Sequence, residues 1–487
     1  MRKSIRSLLI GAITLIITLA ACTTKPAEEP KPNIIYIMLD EMGYFEPSYM
    51  GNEMLETPNI DKMATEGVFF TNAYAGASLC APTRVSLMTG RHMGHASMRS
   101  NSGGMPIRAD EKTVASMLKE AGYATGGFGK WGCGNRGTSG VPEKHGFDIF
   151  YGYYDQVHAH TFYPKYLIRN SEEVMLEGND GYHYKGGTHA QNSIFEEAVI
   201  FIQTNADKPF FCYLPWTPPH GLWGIDEDDP SYLHFKDKPW SVKKSWREDD
   251  AARYAALLHK VDSQIGEIFK LLKELEIDEN TIVFVCGDNG GQAYFKSEEN
   301  PHGIFEPNVN PQTGEVFKGG KGNIYEGGLK IPMVVRWPGN IAPDTENDFV
   351  WYFPDFMATV ADIVDVEKPT ECDGLSILPT LTGQGIQEEH EYMFWTGGGR
   401  WAVRSGDWKA VSERLKKKKS PDNWELYNLA EDKGETTNIA INNPEQLKRL
   451  VDYAFEAFNE PVKGEIYDKE LYKKDHKINL PKPSREK

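Results

Sequence analysis

The stretch Asn33-Ile34-Ile35-Tyr36-Ile37-Met38-Leu39-Asp40-Glu41 decides the fold of this chain. Its apolar run is continuous, without the alternation of a half-exposed strand, and therefore predicts a strand that is buried on both faces. Such strands are typical of parallel sheets covered by helices, in which ligands bind beyond the carboxyl ends of the strands. We therefore expect Asp40 and Glu41 to lie at a ligand-binding edge.

Three further apolar runs end in polar groups in the same way. Residues 281–286 predict a strand that leads to Asp288 and Asn289, and they follow an amphipathic helix over residues 251–275. Residues 208–216 predict a strand that leads to His220, and residues 122–128 predict one that ends at Lys130. The alternation of helices and strands predicts an α/β fold with a mostly parallel sheet flanked by helices.

The character of the sequence changes near residue 385. Short strands separated by glycines predict an antiparallel sheet, which a helix over residues 444–458 follows. We therefore predict a catalytic domain over residues 32–384 and a smaller C-terminal α+β subdomain over residues 385–487. The Lys416–Lys419 run is expected at a solvated hairpin tip, and the charged tail beyond Lys463 is expected to be loosely held.

The first residues have the features of an export signal. Arg2, Lys3 and Arg6 precede an apolar stretch, and Leu19-Ala20-Ala21-Cys22 resembles a bacterial lipobox. We expect residues 1–21 to be a lipoprotein signal peptide, Cys22 to carry a lipid anchor, and residues 22–31 to form a tether. This predicts an exported bacterial lipoprotein in the periplasm or at the outer membrane or cell surface. The alternative is a plain cleaved signal with an incidental cysteine.

Composition and charge indicate a globular protein and exclude some kinds of partner. The chain has 487 residues, of which 40% are apolar and 25% charged, and a net charge of -17. This composition is globular, and the negative charge argues against nucleic-acid binding. An anionic substrate would have to be attracted by local cations and a metal. Six cysteines in a chain of this size do not indicate a disulfide scaffold, and Cys212 and Cys286 are expected to be core residues.

The strand-end acids and amide are hard oxygen ligands. Asp40, Glu41, Asp288 and Asn289 suit Ca²⁺, or alternatively Mg²⁺, rather than Zn²⁺. Each pair taken alone could instead cap a turn or helix.

Three cations lie in turns marked by glycine or proline: Arg84, Lys130 and Lys321. Such turns let the backbone approach a ligand, and these side chains suit a tetrahedral anion, although each alone could be an ordinary surface residue. His220 is either a general acid or a plain loop histidine.

The segment from Cys80 to Arg91, CAPTRVSLMTGR, resembles the signature of the formylglycine-dependent (type I) sulfatases. The similarity extends from Asn33 to about Ala440 and includes Gly129-Lys130-Trp131 and the segment from Lys321 to Gly328. The resemblance implies an alkaline-phosphatase-like fold and hydrolysis of sulfate monoesters.

The resemblance also implies roles for individual residues. A maturation enzyme would oxidise Cys80 to formylglycine, whose hydrate would be the nucleophile and would carry a covalent sulfate ester. Arg84 would steady the hydrate, Lys130 and Lys321 would neutralise sulfate oxygens, and His220 with Lys321 would protonate the leaving oxygen. One Ca²⁺ would be held by Asp40, Glu41, the residue derived from Cys80, Asp288 and Asn289.

Two positions depart from the family pattern. Glu41 replaces a second aspartate, and Gly132 replaces a histidine that the family usually places after Gly-Lys-Trp. Another group must serve in place of that histidine. His158 and His160 are candidates for this role and for substrate binding, with His160 favoured over His158; aromatic-loop packing is the alternative.

The segment around these histidines is similar to a subset of bacterial sulfatases that act on galactose or N-acetylgalactosamine type sugars. The substrate expected from the resemblance is therefore a sulfated carbohydrate. Trp223 and Trp401 are expected to be exposed and, with Arg400 and Arg404, to line a sugar pocket; the alternative is that they belong to the core of the C-terminal sheet.

Two other functions compete with sulfate ester hydrolysis. A phosphatase, phosphonate hydrolase or phosphotransferase of the same superfamily would often need ligands for a second metal, and the sequence lacks the extra histidines and aspartates. An inactive, glycan-binding surface lipoprotein would be expected to have lost Cys80 or the acid pairs, and both are present.

Overall fold

The structure of the chain is a computed structural model. It describes residues 31–101, 106–181, 184–240, 245–413 and 423–476. The predicted signal peptide, the lipid anchor at Cys22 and the Lys416–Lys419 loop lie outside the described residues, as does all of the tether except Lys31.

A ten-stranded, mostly parallel sheet forms the centre of the fold. In chain order its strands are β1 (Asn33–Asp40), β2 (Val68–Phe70), β4 (Ala124–Lys130), β5 (Ile149–Tyr153), β6 (Tyr166–Arg169), β7 (Glu172–Met175), β8 (Phe210–Pro219), β9 (Thr281–Gly287), β10 (Met333–Arg336) and β11 (Thr345–Asn347). The five middle strands run parallel in the order β9-β1-β8-β4-β5, and β10 and β6 pair antiparallel with the two ends of this group.

Strand β1 is buried on both faces, as its sequence predicts. Ile34, Tyr36 and Met38 pack into the core on one face of the sheet. Their alternate neighbours Ile35, Ile37 and Leu39 pack into the core on the other face. Cys212 and Cys286 are fully buried in β8 and β9, which confirms their assignment to the core.

Helices cover both faces of the sheet. In chain order they are α1 (Pro58–Glu66), α2 (Cys80–Thr89), α3 (Val114–Glu120), α4 (Ala190–Thr204), α5 (Pro230–Phe235), α6 (Asp250–Glu274), α7 (Glu326–Leu329), α8 (Pro354–Ile363), α9 (Leu378–Thr382), α10 (Pro444–Glu456) and α11 (Lys469–His476). Helices α1, α4 and α6 contribute to one core, and α2, α3 and α8 contribute to the other.

A second, four-stranded sheet is antiparallel throughout and packs against α10. This confirms the α/β fold with a smaller C-terminal antiparallel sheet, whereas the domain boundary at residue 385 stays a prediction. The four strands are β13 (Met393–Gly397), β14 (Arg400–Ser405), β15 (Trp408–Ser412) and β16 (Glu425–Asn428), and a separate pair joins β3 (Ala73–Tyr74) to β12 (Trp351–Tyr352).

The prediction of a loosely held tail beyond Lys463 is wrong for the tail as far as His476. Asp475 in α11 is fully buried and accepts hydrogen bonds from the Arg136 guanidinium, at 2.6 and 2.8 Å, and from the Tyr166 hydroxyl. The charge pattern suggested solvation, but this acid pairs with a buried arginine far away in sequence. Within the described part of the chain, no helix has the length and apolar character needed to span a membrane.

The prediction that Trp223 and Trp401 are exposed is also wrong. Trp223 is 6% exposed and packs against Tyr294, whereas Trp401 is 9% exposed and packs against Phe394 in the C-terminal sheet. Both tryptophans therefore contribute to cores, as the alternative interpretation held for Trp401. Arg404 is likewise buried, and Arg400 donates a hydrogen bond to the Gly322 carbonyl oxygen.

Candidate active site

Four neighbouring parallel strands deliver polar side chains to one edge of the sheet. Lys130 ends β4, His220 follows β8, Asp40 ends β1, and Asp288 follows β9. Parallel strands place their carboxyl ends at the same edge, so residues distant in sequence become neighbours there. This arrangement is the one that the apolar runs of the sequence predict.

Glu41 reaches this edge through an unusual backbone conformation. Its φ of 67° lies in the left-handed region, which is rare for a residue other than glycine. The turn directs the Glu41 amide to the carboxylate of Asp288, to which it donates a hydrogen bond of 3.0 Å. Strained backbone of this kind clusters at functional sites.

Cys80 is the first residue of α2 and is buried. Its thiol lies 3.2 Å from Asp40 Oδ1 and 3.9 Å from the Asn289 side-chain nitrogen. Burial and the nearby Asp40 raise the pKa of the Cys80 thiol well above its ordinary value. Since the thiolate is the reactive form of cysteine, the unmodified Cys80 side chain is a poor nucleophile in this setting.

Two buried cations join the strand ends. Arg84 donates hydrogen bonds to the Lys130 carbonyl oxygen at 2.7 Å and to Asp288 Oδ2 at 3.1 Å, and the Lys130 ammonium is paired with Asp40. Burial would raise the pKa of Asp40, but Lys130, His220 and Arg84 together hold it well below its ordinary value. Asp40 is therefore ionised and can act as a ligand.

A second group of side chains surrounds Glu41. Its carboxylate is paired with the ammonium of Lys321, lies 3.2 Å from His220 Nδ1, and accepts a hydrogen bond from the Tyr294 hydroxyl. Lys321 Nζ lies 3.4 Å from His220 Nε2. Burial lowers the pKa of Lys321 to about 8 and that of His220 to about 4.

Tyr294 is a member of this group that the sequence did not predict. It follows the Asp288-Asn289-Gly290-Gly291 segment by three residues, and that proximity to a predicted ligand pair is the available signal. Its hydroxyl also lies 3.3 Å from His220 Nδ1, so it helps to fix the orientation of the histidine ring.

The two candidate histidines of the 158–160 turn lie in different environments. The His160 ring centroid is 4.3 Å from that of His220, so His160 belongs to the group around Glu41. His158 is fully buried and packs between the rings of Tyr153 and Tyr166, 5.1 and 4.9 Å from them. His160 therefore lies beside an active-site residue, whereas His158 has the aromatic packing that was the alternative interpretation. A role for His160 in place of the family histidine stays a prediction.

The donor set at the strand ends fits a hard divalent cation. Potential ligand atoms of Asp40, Glu41, Cys80 and His220 lie within 4.8 Å of one another. The buried Asn289 Oδ1 has no hydrogen-bond partner among the described residues. Burial and the neighbouring Asp40 raise the pKa of Asp288 well above its ordinary value, and a cation between the carboxylates would relieve this crowding.

Comparison with known proteins identifies the family. The sulfatase family profile matches residues 32–366, and a profile described as N-sulphoglucosamine sulphohydrolase, C-terminal, matches residues 315–456. This chain belongs to the sulfatase family. The sulfatase is therefore a sulfuric ester hydrolase, as the Cys80 segment indicated.

Two animal sulfatases are among its relatives. The chain is 31% identical to an arylsulfatase of Hemicentrotus pulcherrimus over 408 residues, which cover 78% of this chain and 67% of the relative. It is also 31% identical to N-acetylgalactosamine-6-sulfatase of Canis lupus familiaris over 428 residues, which cover 81% of this chain and 74% of that enzyme.

The sulfatase is also similar to a solved structure with a bound carbohydrate. That structure is Ps i-CgsB in complex with k-i-k-neocarrahexaose. The match has a TM-score of 0.72 and 25% identity, and it covers 92% of this chain and 98% of the other.

Proposed function

We propose that this sulfatase hydrolyses sulfate monoesters of carbohydrates with a formylglycine nucleophile made from Cys80. The observation that carries the proposal is the position of Cys80. It begins a buried helix beside Asp40 and Asn289, within a cluster of acids and cations built from four adjacent strand ends. An unmodified thiol with a raised pKa is a poor nucleophile at this position. A nucleophile derived from Cys80 would instead lie beside the metal ligands.

Asp40, Glu41, Asp288, Asn289 and the modified Cys80 would hold one Ca²⁺, with Mg²⁺ as the alternative ion. When present, the formylglycine hydrate and the cation supply a hydroxyl nucleophile for sulfur, a Lewis acid for sulfate, and a second hydroxyl whose deprotonation releases sulfate. Arg84 and Lys130 lie on the Asp288 and Asp40 side of this cluster, where they would orient the hydrate and neutralise sulfate oxygens.

Lys321 and His220 lie on the Glu41 side and would serve the leaving oxygen. His220 Nδ1 faces Glu41 at 3.2 Å, which leaves Nε2 directed to Lys321 at 3.4 Å. A lysine with a pKa of about 8 is a stronger acid than an exposed lysine, so Lys321 is suited to protonate a departing alkoxide. His220 would orient the ammonium and share its proton.

A carbohydrate substrate is favoured by the relatives. One relative is an N-acetylgalactosamine-6-sulfatase, and a similar structure contains neocarrahexaose. These names support a sulfated galactose or N-acetylgalactosamine type glycan as the substrate class. Export as a lipoprotein anchored at Cys22, in the periplasm or at the cell surface, remains part of the proposal, as does encounter with a formylglycine-generating enzyme.

Phosphoryl transfer is the competing activity within the superfamily. The second group of potential metal ligands found in the described residues is His92, His95 and Asp373, a set separate from the one around Cys80. His92 Nδ1 there accepts a hydrogen bond from the Gly94 amide at 3.0 Å, so its Nε2 carries the proton and is not free to bind metal. A single cation site suits the sulfatase proposal.

The proposal is tested by a desulfation screen of enzyme co-expressed with a maturation enzyme. The substrates are position-defined sulfated galactose, N-acetylgalactosamine and glucosamine, with the matching phosphate esters as comparison. We expect sulfate release from at least one sugar in the presence of Ca²⁺, loss of release in Cys80→Ala, and retention in the control Cys212→Ala, whose cysteine lies in the core of β8. Faster turnover of the phosphate esters, or no release of sulfate from any sugar, would contradict the proposal.

A further inference from the structure

Gly132 stands where the family usually places a histidine, and the structure shows what occupies the space of that side chain. A Cβ atom on Gly132 would lie 1.9 Å from Gln156 Nε2, 3.2 Å from Gln156 Cδ and 3.3 Å from Arg84 Cδ. The carboxamide of Gln156 therefore fills the volume directly beside Gly132, next to the arginine of the active site.

The pairing of β4 with β5 brings these two residues together. It continues beyond the strands, because the Trp131 amide donates to the Tyr153 carbonyl oxygen and the Gly132 amide donates to the Tyr154 carbonyl oxygen. Asp155 then caps the following turn by accepting a hydrogen bond of 2.7 Å from the Val157 amide. Gln156 thus belongs to a fixed turn that is stacked on Gly132.

The polar atoms of the Gln156 carboxamide are buried and unpaired. Neither its oxygen nor its nitrogen has a hydrogen-bond partner among the described residues, and the same is true of Arg84 Nε. A buried, unpaired amide costs free energy, so such groups usually have a ligand or a water as their partner. A cavity of about 20 Å³ lined by Ala81, Asn101, Gly132 and Gln156 adjoins this amide, and Ala81 directly follows Cys80.

We propose that Gln156 takes the place of the missing family histidine and donates a hydrogen bond from Nε2 to a sulfate oxygen of the bound ester. This inference rests on the proposed function, since it assigns a binding role within the same site. Gln156 and Arg84, which both lie beside Gly132, would then both contact the sulfate.

A carboxamide differs from an imidazole in one respect that matters for the chemistry. It donates and accepts hydrogen bonds but does not take up a proton near neutral pH. Gln156 can therefore position the sulfate group but cannot act as the base that assists its release. His160 does not occupy this place either, since its ring faces His220.

Two substitutions separate a hydrogen-bonding role from simple space filling. Gln156→Ala removes the amide, and Gln156→Glu keeps its shape but places a negative charge near the sulfate. We expect kcat/KM to fall roughly 100-fold in Gln156→Ala, the effect typical of losing one preorganised donor, and to fall further in Gln156→Glu. The inhibition constant for inorganic sulfate should rise in the same order. If the side chain only filled space, Gln156→Glu would resemble wild type more closely than Gln156→Ala does.

Gln191→Ala is the matched control. Gln191 is a buried glutamine whose Nε2 is already paired, because it donates to Gln264 Oε1 at 2.9 Å. We expect this variant to keep the wild-type kcat/KM and sulfate inhibition constant, whatever its melting temperature. All variants are compared as folded protein with the formylglycine content of residue 80 measured by mass spectrometry, so that poor folding or maturation is not taken for lost binding.

A third variant makes the position titratable. In Gln156→His, sulfate inhibition should strengthen as the pH falls through about 6.5, where a histidine becomes charged, and this component should be missing from wild type. An unchanged pH profile in Gln156→His, or wild-type kcat/KM in Gln156→Ala, would overturn the assignment while wild type still releases sulfate. If matured wild type released no sulfate from any ester, the proposed function itself would fail, and the assignment of Gln156 with it.

Discussion

Two buried clusters in this protein contain similar residues but differ in how completely their polar atoms are paired. The inter-sheet cluster, in which the C-terminal sheet meets α7 and β3, consists of Tyr74, Glu326, Arg404, Lys409 and Glu435. Lys409 Nζ lies 2.8 Å from a carboxylate oxygen of Glu326 and 2.9 Å from one of Glu435. The Tyr74 hydroxyl donates to Glu326 at 2.5 Å and accepts a hydrogen bond from Arg404.

The strand-end cluster around Cys80 also combines buried acids, cations and a tyrosine, but some polar atoms in it and beside it, including those of Gln156, are unpaired. Its members are Asp40, Glu41, Cys80, Arg84, Lys130, His220, Asp288, Asn289, Tyr294 and Lys321. Asn289 Oδ1, Arg84 Nε and both amide atoms of Gln156 have no hydrogen-bond partner among the described residues. Glu435 Oε1 of the inter-sheet cluster also has no hydrogen-bond partner among the described residues, but it lies 2.9 Å from the Lys409 ammonium. The charges of this cluster are thus paired with one another and stabilise the fold. A cluster with unpaired, converging groups is suited to a ligand.

The two clusters should differ most in the loss of unfolding free energy when one acid of each is replaced by its neutral amide. Glu326→Gln breaks a buried ion pair and is expected to lower the free energy of unfolding by about 3 kcal/mol, because Lys409 loses a partner. Asp288→Asn should leave the stability of the calcium-free protein nearly unchanged, since burial and Asp40 already raise the pKa of Asp288. Chemical denaturation in the presence of a chelator measures both free energies.

The same two substitutions should affect kcat/KM in the opposite order. Asp288→Asn is expected to lower kcat/KM more than about 100-fold and to weaken calcium binding, because it removes a charged ligand. Glu326→Gln should keep the wild-type kcat/KM per folded molecule. A loss of activity in Glu326→Gln at a temperature where it is fully folded would contradict the division into a structural and a functional cluster.

A change of pH should remove most of the stability difference caused by Glu326→Gln. Burial alone would raise the pKa of Glu326, but Lys409, Lys330 and Arg404 hold it at about 2, below its ordinary value of 4.5. A depressed carboxyl pKa contributes stability above pH 4.5, and this contribution is lost as the pH falls towards 2.

We therefore expect the difference in unfolding free energy between wild type and Glu326→Gln to shrink by about 2 kcal/mol or more as the pH falls from about 5 to 2. Denaturant titrations of both proteins at each pH measure this difference. A difference that does not depend on pH would show that Glu326 is not ionised in its cluster.

The smallest effect expected is the coupling between Gly132 and Gln156. Gly132 has a φ of 75°, so Gly132→Ala carries a backbone cost of about 1 kcal/mol in any background. The additional clash with the Gln156 amide exists only while that side chain is present. Gly132→Ala should therefore cost about 1 kcal/mol less in a Gln156→Ala background than in wild type. Equal costs in both backgrounds would mean that the two side chains do not compete for one volume.

Much of the fold and part of the site could be predicted from the sequence. The uninterrupted apolar run of β1 identified a doubly buried strand, and the parallel-sheet rule placed Asp40 and Asp288 at a common edge. The Cys80 segment indicated the family because its residue types and spacing are specific. These predictions succeeded because they rest on local sequence patterns that tertiary contacts did not override.

Gln156 and Asp475 could not be predicted, since their roles depend on contacts between distant segments. The amide of Gln156 has no acid or base signature, and its proximity to Gly132 follows from strand pairing. Asp475 is part of a charged tail whose composition suggests solvation, but Arg136 binds it in the core. The environments of His158 and His160 differ because a tight turn directs their rings to opposite neighbours, a detail that sequence spacing does not specify.

The central claim is that the strand-end cluster works through a modified Cys80, and the mass of residue 80 tests it most directly. Enzyme that is shown to release sulfate is digested, and the peptide containing residue 80 is measured by mass spectrometry. If the thiol is converted to formylglycine, the peptide should be about 18 Da lighter than the unmodified peptide. The fraction of lighter peptide should rise with the specific activity of the preparation. Fully active enzyme in which residue 80 is found only as unmodified cysteine would contradict the account.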